Sequence, residues 1–150
     1  KEEIFIMKMN QEIFAIKLYE MDREYAKLQS RIRLCGQEGH SKIRQELQKI
    51  KDEYVEQNLI VRQRAEGSRS PAVAELAQIQ MEYYRKMEQL LKGQLENELH
   101  SEGSSPSEDK AEAIGLYAEY AIDQAAQAIR YALIASLSAM DLQLSAEEQD

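Results

Sequence analysis

The chain has 150 residues, 43% hydrophobic and 31% charged, a balance that excludes a disordered polymer and suits a folded protein. Its formal net charge is −8. That argues against a dedicated nucleic-acid binder, because attraction to phosphate supplies most of such affinity.

One cysteine, Cys35, rules out a disulfide framework within the chain and points to a reducing, cytoplasmic setting. At this length a single helical domain is expected, burying about two-thirds of the surface its unfolded chain exposes. Helix formers dominate, strand formers are scarce, and only two prolines and six glycines interrupt the chain. The longest apolar run near the N-terminus, Ile4-Phe5-Ile6-Met7, is too short for a membrane span or a signal-peptide core. The chain opens on Lys1 rather than Met, as a trimmed start would.

A first helix is expected over about 2–35. Its heptad seam reads Ile4, Met7, Gln11, Phe14, Leu18, Met21, Tyr25, Leu28, Ile32, Cys35, and only Gln11 is polar. Gly36 and Gly39 then offer the positive-φ freedom that ends a helix. The N-terminal half carries a second apolar line, Ile6, Met9, Ile13 and Ile16 with Phe5 beside it, nearly opposite the seam. A surface helix seldom needs two opposed apolar stripes, so these five residues are the candidate subunit interface. Glu2, Glu3 and Glu12 disfavour an anionic lipid surface for that stripe.

A second helix, about 42–65 and capped by Ser41, has Ile43, Leu47, Ile50, Tyr54 and Val61 on one stripe. Residues 23–69 hold eleven basic and seven acidic side chains. Arg23, Lys27, Arg31 and Arg33, with Lys42, Arg44, Lys49 and Lys51, could form a basic end that binds nucleic acid weakly. Interleaved glutamates make ordinary pairing along the helix the better reading.

The turn Gly67-Ser68-Arg69-Ser70-Pro71 places Ser70 as N-cap and Pro71 as first residue of a third helix, about 71–99. Its core stripe is Val73, Ala77, Tyr84, Met87, Leu91 and Leu95. Gly93 inside it costs about 1 kcal/mol relative to Ala and marks a close contact or a weak point.

Residues 101–105 read as a flexible loop. Ser105-Pro106-Ser107-Glu108 is a capping box opening a fourth helix, about 106–143. The acidic tail 145–150 is expected to fray. On this helix Ala118, Ala121, Ala125, Ala128, Ala132, Ala135 and Ala139 recur in steps of 3 and 4. Propensity alone would scatter alanines around a helix, whereas these line one face. They form a seam for close approach of a second helix, of the same chain by preference or of a twofold copy. Beside it run Ile122, Ala126, Ile129, Leu133, Leu137 and Met140, which would make this the most buried helix.

The expected fold is all-α, an antiparallel four-helix bundle in up-down-up-down order, with long helical hairpins completed by a second subunit as the rival. A ferritin-like metal centre or enzyme would need inward carboxylates and Glu-x-x-His pairs. The chain has only His40 and His100, and Asn97 stands three residues before His100. Glu96 and His100 share a face but lie at a helix end, where two solvated residues are the plainer reading. Cys35 with His40 supplies two of the four ligands of a structural zinc, and Cys35 fits better as a buried thiol continuing the seam. The eight tyrosines suit a bundle boundary, ring buried and hydroxyl wet, better than a stacking platform for bases. No cofactor, metal or catalytic residue is therefore expected. The sequence points to a non-catalytic structural or protein-interaction module that pairs with another helical protein or forms a homo-oligomer, a dimer first.

Overall fold

The computed structural model describes residues 2–149, with side chains described from Gln11 to Gln149. It is all-α, and no strand occurs among the described residues. The helices are α1 (Glu2–Gln37), α2 (His40–Gly67), α3 (Pro71–Gln89), a π-helical turn (Leu90–Gln94), α4 (Leu95–Leu99) and α5 (Pro106–Gln149). The chain divides into two compact units, Lys1–Glu46 with Gln124–Asp150, and Leu47–Asp123.

Helices form over all four expected segments; the differences lie at their ends and in a break within the third. Gly36 stays inside α1, and neither it nor Gly39 adopts a positive φ. The break is made instead by ordinary backbone bonds. The Glu38 amide donates to the Cys35 carbonyl at 3.3 Å, and the Lys42 and Ile43 amides donate to the Gly39 carbonyl at 3.0 and 3.3 Å. Gly39 thus stands at the N-cap of α2, and Ser41, expected as the cap, lies within its first turn. His40 opens that helix rather than sitting in a turn.

Ser70 does occupy the N-cap of α3, extended at φ −93° and ψ 116° with Pro71 following, but its hydroxyl makes no capping bond. The turn is held by Ser68, whose hydroxyl accepts from the Ser70 amide at 3.2 Å.

The third expected helix is broken at Gly93. This residue has φ 128° and ψ −19°, the one positive φ among the described residues. The Leu95 amide reaches back across this kink to the Leu90 carbonyl, five residues earlier. A Cβ on Gly93 would meet nothing within 4 Å. The glycine is therefore required by backbone conformation and not by close packing.

Residues 101–104 form a hydrogen-bonded turn. The Ser104 amide donates to the Ser101 carbonyl at 3.1 Å, and the Ser104 hydroxyl bonds both polar groups of the Ser101 backbone at 3.0 Å. The capping box of α5 forms both of its bonds: Ser105 N–H to Glu108 Oε2 at 3.1 Å, and Glu108 N–H to the Ser105 hydroxyl at 3.2 Å. From there α5 runs unbroken to Gln149, through the segment expected to fray.

Among the described side chains, only Ala113 (2% exposed) and Asp109 (4%) are buried. Both lie in the first two turns of α5, and the rest of that helix, expected to be the most buried, is exposed or half-buried. An apolar stripe is covered only when a second layer lies on it, and along most of α1 and α5 none does.

Candidate functional site

The faces singled out by sequence lie open. Of the expected interface, the side chains of Phe5, Ile6 and Met9 lie outside the described residues, while Ile13 and Ile16 are exposed, Ile16 by 58%. The heptad seam, expected to face a core, is open as well. Leu18 is 54% and Ile32 62% exposed, and Phe14 and Cys35 are half-buried. Cys35 is a free thiol, and the buried position expected for it is not what the chain provides.

The alanine seam is exposed at Ala118, Ala125, Ala128, Ala132, Ala135 and Ala139 and half-buried at Ala121. The closely approaching helix of the same chain, preferred from sequence, does not cover it. The larger residues beside it, Ile122, Ile129, Leu133 and Leu137, are exposed too. On the basic stretch, Lys27 Nζ pairs with Glu24 at 3.2 Å on the surface of α1, the local pairing that the interleaved glutamates suggested.

Within the unit Leu47–Asp123, tyrosines from three helices converge. Tyr54 of α2 meets Tyr84 of α3 edge-on at 6.2 Å between ring centroids, and Tyr83 meets Tyr84 at 5.4 Å. Partial burial, then the nearby Tyr120 and Tyr117 hydroxyls, raise the Tyr83 phenol above its ordinary value. Partial burial, then Tyr54 and Tyr84, raise Tyr117 of α5. A cleft of about 570 Å³ opens beside them, lined by Tyr54, Tyr84, Tyr117 and Met81 with Arg62, Arg85, Glu82 and Glu88 at its polar side. Edge-packed, partly buried rings of this kind behave as boundary packing.

Among the described residues, one close side-chain contact to a buried carboxylate joins His100 to Asp109. His100 Nδ1 lies 2.6 Å from Asp109 Oδ2, and the other carboxylate oxygen, Oδ1, is buried without a hydrogen-bond partner among the described residues. The Ser104 hydroxyl first, and His100 second, hold this carboxyl below its ordinary value. Sequence reasoning weighed Glu96 as the companion of His100 and missed Asp109, because no helical period spans the turn between them. The pair links the end of α4 to the start of α5. Among the described residues no group of three or more His, Cys, Asp or Glu side chains is placed to hold a metal. No described helix is long and apolar enough to cross a membrane.

Comparison with family models, with curated proteins and with solved structures finds no match to this chain.

Proposed function

We propose that the chain is a non-catalytic helical module that self-associates, or binds another helical protein, through α1, α5 or both. One observation carries this reading. The apolar stripes of both helices are open while Ala113 is the one buried apolar side chain among those described. Burial of apolar surface is the main favourable term in folding and association, and a single chain of this size that leaves so much of it wet gains by pairing. Exposed apolar surface in continuous stripes, unlike scattered single residues, marks an interaction face. In this reading the helices follow up-down-up-down order, or form long hairpins that a second subunit completes.

The test is the mass of the full chain by sedimentation equilibrium across a wide concentration range. A concentration-dependent dimer or higher oligomer is the expected result. A monomer at the highest concentration overturns self-association. A full chain that also melts as cooperatively and as high as a packed domain of its size, while monomeric, overturns the interaction reading as a whole.

A further inference from the structure

We propose that α1 pairs with α1 of a second copy as a parallel, in-register two-stranded coiled coil along the seam that runs from Ile4 to Cys35. The inference rests on the self-association reading and names its helix, partner and register.

The seam is long enough. α1 has 36 residues, a length of about 54 Å at the helical rise, and its apolar heptads run beyond the three to four that a coiled coil needs. From Leu18 to Ile32 the seam is also uncovered, with Leu18, Met21, Tyr25, Leu28 and Ile32 exposed. Its polar interruptions suit burial between two helices. Gln29 Nε2 donates to the Tyr25 hydroxyl at 2.8 Å, which satisfies the tip of the seam tyrosine. Gln11 is the lone polar seam residue, of the kind that specifies register at some cost in stability.

Charge selects the partner and the direction. In a parallel pair, the residue before each first seam position faces the partner residue five places on. That sets the exposed Lys17 against the exposed Asp22 of the second copy, twice by symmetry. The sequence puts Glu3 and Lys8 in the same relation, and the other flanking pairs join no like charges. An antiparallel pair would set Lys17 against Glu24, whose carboxylate Lys27 already holds at 3.2 Å. The alanine seam of α5 carries no such code. Its flanking positions from Gly115 to Gln143 are Tyr, Gln, Ser, Ile and Gly, without charge.

Cys35 reports the arrangement because it is the chain's one cysteine and sits on the seam. In register and parallel, two copies of Cys35 face each other within disulfide reach, a Cα separation of about 5.5–6 Å. Antiparallel, they stand at opposite ends, about 45 Å apart.

The experiment oxidises the full chain with copper phenanthroline at a concentration where it is dimeric. A control protein, Cys35→Ala with Arg33→Cys, carries its thiol off the seam. Rapid covalent dimer through Cys35, and none above collision rate through the control, is the expected result. Lys17→Glu should weaken dimerisation by about tenfold, as two attractive flanking pairs become repulsive, and Lys17→Glu with Asp22→Lys should restore it. A dimer that does not link through Cys35, or links equally through the control, overturns parallel α1 pairing and leaves self-association standing. A failure of the charge exchange to restore affinity also overturns the register. A monomer throughout overturns both.

Discussion

His100 Nδ1 sits 2.6 Å from Asp109 Oδ2, nine residues apart, and joins the end of α4 to the first turn of α5. Asp109 is among the few buried side chains, and its carboxyl is held below the ordinary value of 3.8, by Ser104 first and His100 second. A depressed carboxyl contributes stability that is present above the unfolded value and lost as pH falls through the folded one. The melting temperature should therefore fall on acidification below about pH 3.8, and Asp109→Asn should flatten that limb. Ser104→Ala should flatten it at least as much as His100→Ala. Thermal melts from pH 2 to pH 6 check the order, and an acid limb unchanged in Asp109→Asn removes the pair from the account.

Gly93→Ala and Gly36→Ala should change stability in opposite directions. Both sites have open space around a new Cβ, so conformation alone decides the sign. Gly93 at φ 128° forces alanine into a strained region, at a cost of about 1–2 kcal/mol. Gly36 lies inside α1 with no positive φ, and alanine there should gain about 0.5–1 kcal/mol. Urea unfolding of the two variants at equal protein concentration reads both effects.

The two serines expected to cap helices differ in what their hydroxyls do. Ser105→Ala removes the bond to the Glu108 amide and should cost about 1 kcal/mol. Ser70 occupies a cap position without a side-chain bond, so Ser70→Ala should stay within about 0.5 kcal/mol of the parent. Equal losses in denaturant unfolding would contradict the geometry.

Tyr83 and Tyr117 have phenols raised above the ordinary value of 10.0, chiefly by partial burial. A raised phenol favours the folded state fully below the unfolded value and loses that contribution as pH rises through the folded one. Stability should thus decline above about pH 10, and Tyr83→Phe and Tyr117→Phe should each soften the decline. Melts between pH 8 and pH 11, with the phenolate absorbance followed alongside, test this. An alkaline limb identical in both variants would show that these hydroxyls do not carry it.

Ala128→Leu probes the alanine seam. Ala128 is exposed in the chain, so the enlarged side chain meets no helix of its own molecule. The melting of the dilute chain should shift by no more than about 0.5 kcal/mol. A larger loss under dilute conditions would show that a neighbouring helix packs there.

Much of the architecture was readable from particular residues. The heptads of α1, the Ser105–Glu108 box and the Ser70-Pro71 step each encode a helix or its start through contacts within a few residues. Gly93 was readable as an interruption but not as a positive-φ kink, since a glycine inside a helical pattern states permission and not geometry. Gly36 and Gly39 show the converse: permission for a positive φ that the chain does not use. The helical tail through Gln149 was missed because acidic composition says little about how far an established helix propagates.

That the chain is helical, where its helices begin and which faces are apolar can all be read along the residues, because propensity, capping and period act over a few neighbours at a time. It took the folded chain to establish that the stripes of α1 and α5 stay uncovered, that tyrosines of α2, α3 and α5 meet in one unit, and that His100 finds Asp109 rather than Glu96. Those relations depend on where turns send the chain and on what lies across from each face, and a local pattern of side chains carries neither.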